Sequence, residues 1–267
     1  MLADIPRRVW ILWMQGRSSM PPVVRECVAS WIRKNPDWEV VFLDRENVWT
    51  YLDRDTIPVD ALAKTSPQVF ANAIRFQLLR RHGGVWADAT TWCLTPLSEW
   101  LTRQPGEFFA FASPGPDRML STWFLASEKD GYLARTMATE YTSIFERLGP
   151  LSLLPDSTVR DMLSRAADTD VFFEGQLLSG ERRYPYFLCH YLFAFLYRRD
   201  ERFKRIWDAT SRPSADPSHA AQVLGLLAPA DAAAKQALRA ANPRMHKLNW
   251  RIDPIEPGTL LHAIVTS

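Results

Sequence analysis

The chain has 267 residues, 47% hydrophobic and 23% charged, enough for a sizeable buried core and too ordinary in composition for a disordered, collagenous or fibrous protein. Lys+Arg 32 against Asp+Glu 30 leaves a formal charge of +2, too balanced for a protein that coats nucleic acid through phosphate contacts, so no nucleic-acid partner is expected. Cys27, Cys93 and Cys189 form no CxxC pair, which argues against a disulfide framework or a cysteine-type zinc site and fits a reducing cytoplasm.

The opening MLADIPRRVWILWMQG places Asp and Pro before a short apolar run and lacks the order of a signal peptide, so it reads as mature protein. Residues 9–14 are a β-branched and aromatic run, the pattern of a strand buried on both faces. Pro21-Pro22 opens a helix, because proline suits a first turn. Val24, Cys27, Val28, Trp31 and Ile32 then recur at three- and four-residue spacing until Asn35-Pro36 ends it. Residues 39–43 read as strand. Strand, helix and strand in this order make a βαβ unit, which predicts a parallel sheet with helical cover.

A second helix follows Val69, Phe70, Ala73, Ile74, Gln77, Leu78 and Arg81 along one face, and Gly83-Gly84 stops it. Val85-Trp86-Ala87 is a short strand ending at Asp88-Ala89-Thr90. Residues 108–112 and 122–126 are strand candidates around the turn-rich Ser113-Pro114-Gly115-Pro116, and a hairpin is expected. Helical patterns cover 132–148, 158–167 and 218–241, the last broken near Pro229, so the C-terminal half is expected to be helix-rich. The most apolar later stretch, 186–197, is interrupted by His190 and is far shorter than the roughly 20 residues of a membrane span. No transmembrane helix is expected, and peripheral membrane association stays open. No repeat or long linker divides the chain, which reads as a single domain, 1–267.

Ligands of open α/β sheets collect beyond the carboxyl ends of strands, which points to the tip Asp88-Ala89-Thr90. Its oxygens suit a hard divalent cation, although a lone Asp at a strand end also serves as a turn or cap residue. On the preceding helix Asn72 and Arg75 are neighbours by (i, i+3) spacing, off the apolar centre. The pair suits a hydroxylated, anionic ligand or else an ordinary solvated face. The 11 tryptophans can pack a core or offer flat faces to a sugar; Trp10 and Trp13, on the first strand, are candidates for a nucleotide base.

Ile5-Pro6-Arg7-Arg8-Val9-Trp10, Pro21-Pro22, Asn35-Pro36-Asp37-Trp38-Glu39-Val40 and Phe70-Ala71-Asn72-Ala73-Ile74-Arg75 running into GGVWADAT resemble the capsular polysaccharide synthesis family. The likeness continues through Ser121-Thr122-Trp123-Phe124-Leu125-Ala126, Tyr186-Phe187-Leu188-Cys189-His190-Tyr191 and Met245-His246-Lys247-Leu248. That family resembles in turn the DXD-containing glycosyltransferases that include yeast mannosyltransferases and the catalytic domains of large clostridial toxins.

The resemblance implies a GT-A type fold: a Rossmann-like, mostly parallel sheet with helices on both faces. It implies a cytoplasmic glycosyltransferase, possible at the inner face of the cell membrane, that retains anomeric configuration. The donor would be a nucleotide sugar, the acceptor a saccharide or lipid-linked sugar, and the cofactor Mn²⁺ or Mg²⁺. Asp88 matches the first DXD carboxylate and Arg75 an arginine that contacts donor, so these two are the expected catalytic pair. Trp10, Trp13, Asn72, Arg75, Asp88 and Lys247 are expected to bind donor, and Asp88, Thr90 and His246 to hold the metal. Two positions depart from the wider pattern: Thr90 stands where the wider superfamily has a second Asp, although DAT is the usual form in the capsular branch, and Asn72 stands where relatives usually have Asp. They motivate a rival reading, a nucleotide-sugar binding protein without turnover.

Overall fold

Strand β1, Arg8–Leu12, sends Trp10 and Leu12 into one apolar layer and Val9 and Ile11 into another, as the two-residue period of a strand buried on both faces requires. In the computed structural model, which describes residues 5–104, 106–174, 180 and 182–267, β1 leads into helix α1, Pro22–Lys34. The helix covers the second of these layers with Val24, Val28 and Trp31. Strand β2, Glu39–Leu43, then pairs in parallel with β1, Arg8 opposite Glu39 and Leu12 opposite Leu43, completing the expected βαβ unit.

After a short helix α2, Val59–Leu62, helix α3 spans Pro67–His82. Ser66 caps its start, its hydroxyl accepting from the Val69 N–H at 3.4 Å, and Pro67 fits the first turn. Gly83 and Gly84 stop it at φ 66° and 93°. A Cβ at Gly83 would come within 2.6 Å of the Lys129 nitrogen, and one at Gly84 within 2.6 Å of the Arg8 carbonyl. Both the turn and the close strand contact therefore need glycine. Strand β3, Gly84–Ala87, lies parallel to β1 on the side away from β2.

Strand β4, Thr91–Cys93, and helix α4, Leu97–Trp100, precede the hairpin of β5, Phe108–Gly115, and β6, Arg118–Ser127. The main sheet has the order β2-β1-β3-β6-β5, and only β6 runs against the other four strands. Helix α5, Tyr132–Leu148, packs over α3, the Tyr141 hydroxyl donating to the Val69 carbonyl at 3.2 Å. Beyond it lie β7, Ser152–Leu153; α6, Asp156–Arg165; β8, Arg183–Tyr184; α7, Leu188–Arg199; α8, Glu201–Ala209; α9, Asp216–Leu224; α10, Ala232–Ala241; β9, Met245–Lys247; and α11, Leu260–Val265. The α/β class, the helices on both faces and the helix-rich second half agree with the sequence reading.

Chain order matters for function. The chain leaves β1 through α1 on one face and returns to β3 through α3 on the other, so strand order reverses between β1 and β3. A crevice opens outside the carboxyl ends of two parallel strands at such a reversal. No helix among the described residues is long and apolar enough to cross a membrane.

Candidate active site

Asp88 is the first residue beyond β3. Its N–H donates to the Trp123 carbonyl of β6 at 2.8 Å, and its own carbonyl accepts from the Thr91 N–H at 2.9 Å and the Thr91 hydroxyl at 2.7 Å. The Asp88-Ala89-Thr90 tip is thus a tight turn held from both sides. The Asp88 carboxylate accepts three hydrogen bonds: Arg75 Nη2 at 2.8 Å and Trp86 Nε1 at 2.9 Å on Oδ1, and Lys247 Nζ at 2.8 Å on Oδ2. Lys247 also donates to the Thr90 hydroxyl at 2.6 Å. The other arm of Arg75, Nη1, donates to Asn72 Oδ1 one turn back along α3.

Arg75 is not on a solvated face. Helix α3 lies between the sheet and α5, leaving Arg75 only 5% exposed, with its guanidinium carbon 4.8 Å from the centre of the Trp86 ring. Burial alone would raise the Asp88 carboxyl. The charges of Lys247 and Arg75, with the hydrogen bonds from Lys247 and Trp86, outweigh it and hold Asp88 well below the usual carboxylate range. Two cations against one carboxylate leave the cluster with a net charge of +1.

The cluster forms the floor of a cavity of about 470 Å³ at the strand-order reversal, within the usual range for small-ligand sites. Trp13 and Gln15, just past β1, make one wall and Gln68 of α3 another; Tyr186, Phe187 and Trp250 add aromatic surface. Trp13 and Trp250 meet edge to face, ring centres 5.8 Å apart. His190 also lines the cavity, its Nε2 3.3 Å from the Thr122 hydroxyl and its Nδ1 without a hydrogen-bond partner. Burial, then the charges of Arg118 and Arg75, pushes the His190 pKa down to about 3, so the ring is neutral at physiological pH.

Residues 3–147, more than half of the chain, match the family described as capsular polysaccharide synthesis protein. The chain belongs to that family. It is 28% identical over 164 residues to the O-glycosyltransferase braB of Annulohypoxylon truncatum, covering 53% of this chain and 37% of that protein. It is 26% identical over 168 residues to inositol phosphoceramide mannosyltransferase 1 of Schizosaccharomyces pombe, strain 972 / ATCC 24843, covering 57% of this chain and 51% of that protein. The chain therefore spans about half or less of the length of these curated relatives. A solved structure titled PaToxG Glycosyltransferase aligns with TM-score 0.45 and 12% identity over 90% of this chain and 86% of that one.

The structure brings Trp13, Asn72, Arg75, Asp88, Thr90 and Lys247 to one cavity. Two expected residues lie elsewhere. Trp10 has no exposed surface; its Nε1 donates to the Gly83 carbonyl at 2.9 Å and its ring packs on Tyr51, so it is core. His246 precedes Lys247 on β9, and successive strand side chains point to opposite faces. Lys247 lies opposite Thr91 and reaches the cavity, whereas His246 lies opposite Trp92 and is 4% exposed, with its Nδ1 unpartnered. Burial lowers its pKa to about 4. Tyr186, Trp250, Gln15 and Gln68 escaped the sequence reading as site residues; the only local hint was the high tryptophan content.

The donor set does not fit the divalent cation that the resemblance implies. Asp88 is already paired with two cations, the Thr90 hydroxyl accepts from an ammonium, and His246 faces away. Among the described residues no three His, Cys, Asp or Glu side chains converge on one point. The three cysteines take no part: all are free and buried, and burial pushes Cys93 and Cys189 up to about 12 and Cys27 higher still.

Proposed function

We propose that this chain is a glycosyltransferase that moves a sugar, most simply a hexose, from a nucleoside-diphosphate donor to a saccharide or lipid-linked acceptor in surface polysaccharide assembly. The observation that carries this reading is the net positive Arg75–Asp88–Lys247 cluster on the floor of an aromatic-walled cavity at the strand-order reversal. A diphosphate needs charge-assisted donors, and a base and a sugar need flat apolar faces and a few polar groups. The names of the two curated relatives and the family description point the same way.

In the reaction the bond between sugar C1 and the β-phosphate oxygen breaks, and its electron pair leaves with the diphosphate. The acceptor hydroxyl oxygen forms the new bond to C1, and its proton is released to solvent. The planar fork of Arg75, fixed by Asn72 and Asp88, is placed to orient a phosphate oxygen, because its rotamer is already set before ligand arrives. Neutral His190 offers a donor or acceptor to a sugar hydroxyl, and Trp13 and Trp250 offer ring faces and edges at the mouth.

The test is a panel of nucleotide sugars incubated with purified protein and simple saccharide acceptors, with released nucleoside diphosphate as the readout. Turnover of at least one donor, lost in Arg75→Ala, is expected. One observation favours the rival of binding without turnover: Asp88 is the only carboxylate lining the cavity among the described residues, and both its oxygens are engaged. Donor binding without any release or transfer would establish that rival. No binding by any donor would overturn both readings.

A further inference from the structure

We propose that the Lys247 ammonium does the work of a divalent cation at this site, holding the donor's diphosphate and neutralising it as it departs. The inference rests on the nucleotide-sugar reading above. Lys247 Nζ stands 2.8 Å from Asp88 Oδ2 and 2.6 Å from Thr90 Oγ1, bridging the first and third residues of the Asp88-Ala89-Thr90 tip. A cation shared by those two positions occupies that place.

Charge counting explains the exchange. Two carboxylates at the first and third positions would balance a doubly charged ion. One carboxylate and one hydroxyl carry a single negative charge, which Lys247 and Arg75 together already exceed by one. Bringing a divalent ion to the same oxygens would either expel the ammonium or set it, Lys247 and Arg75 together around the single charge of Asp88. Like charges so close, in a site where Lys247 is 17% exposed and Arg75 6%, repel strongly.

The amine is delivered by a strand rather than a loose loop. Strand β9 pairs with β4 in the register that sets Lys247 opposite Thr91, and the next residue, Leu248, donates its N–H to the Thr90 carbonyl at 2.8 Å. An ammonium carries three N–H donors, and Asp88 and Thr90 accept two of them. The third is available to a phosphate oxygen in the cavity that Lys247 lines. When the C1–O bond breaks, the electron pair arrives on the β-phosphate oxygen, where Lys247 and Arg75 can stabilise it as preorganised donors.

The experiment is calorimetric titration of the full chain with UDP, GDP, ADP, CDP and inorganic pyrophosphate, in EDTA and again with Mn²⁺ or Mg²⁺. At least one nucleoside diphosphate should bind in EDTA, with affinity unchanged by either ion. In Lys247→Gln that affinity should fall roughly tenfold to hundredfold, the worth of a hydrogen bond to a charged group. Binding that requires a divalent ion, or a folded Lys247→Gln that binds in EDTA as well as wild type, overturns the proposal while leaving the nucleotide-sugar reading intact. Absence of binding by every probe under every condition overturns that reading and the proposal with it. Should Lys247→Gln fail to fold, the wild-type comparison with and without EDTA still decides, since it needs no variant.

Discussion

Replacing Asp88 with Asn keeps the shape of the side chain and removes the only negative charge between two cations. In the wild type, Asp88 pairs with Arg75, whose side chain is 6% exposed, and with Lys247, which is 17% exposed. The variant leaves those two positive groups facing one another across a neutral amide. Its NH₂ must also turn toward a donor or lose a hydrogen bond. Removing one partner of a buried pair costs about 3–5 kcal/mol, and because Asp88 itself is 27% exposed the low end applies, about 3 kcal/mol. For a chain of this size that is a fall in Tm of roughly 6–12 °C. The assay is thermal and urea unfolding followed by circular dichroism, with and without pyrophosphate. An added anion should restore more stability to Asp88→Asn than to wild type, because the variant's floor carries an extra net positive charge. The acid side gives a second check. The folded-state pKa of Asp88 lies below its unfolded value, so its contribution is complete at neutral pH and is lost as pH falls below about 4 toward the lowered folded value. Asp88→Asn should lack that share of the acid sensitivity. A variant as stable as wild type at pH 7, with an unchanged acid profile, would refute the view that this carboxylate neutralises the floor.

Arg75→Lys keeps the charge but cannot hold Asn72 and Asp88 with one planar fork, so nucleoside-diphosphate affinity should fall roughly tenfold by calorimetry; an unchanged affinity would reduce Arg75 to a countercharge. His246→Leu should leave diphosphate binding and its response to Mn²⁺ unchanged. Its effect should appear in the pH dependence of stability: between about pH 6.5 and 4 the unfolded histidine takes a proton that the buried one refuses, so wild-type stability falls as pH drops through that window and the variant loses part of the slope. Loss of metal-dependent binding in His246→Leu would return that histidine to the site. Trp250→Ala should weaken nucleotide binding roughly threefold to tenfold with little change in Tm, since the ring is 39% exposed, whereas Trp10→Ala should cost about 3–5 kcal/mol in urea unfolding as a fully buried aromatic. Equal effects of the two substitutions on stability would contradict their placement at the rim and in the core.

The sequence by itself determined the elements whose signals are local. The runs that became β1 and β2, the proline-opened α1 and the glycine stop after α3 depend on side-chain period and backbone freedom, which short windows of sequence carry. The same is true of Asn72 and Arg75, whose contact follows from helical spacing alone. Only the tertiary structure decided that Arg75 is buried, because spacing along α3 cannot show that its side chain lies against Trp86 of β3 and Asp88 just beyond it, which it reaches only in the fold. Trp10 and Trp13 fall on the same short run, and whether a ring meets core or cavity depends on where β1 ends relative to β3. The pairing of Lys247 with Asp88 joins positions 159 residues apart, a distance across which no periodicity speaks. That Lys247 rather than His246 reaches the cavity was set by the register of two three-residue strands, β4 and β9. A shift of one residue there would send the imidazole to Asp88 and turn the ammonium away, and nothing in so short a strand specifies the register before its neighbours are packed around it.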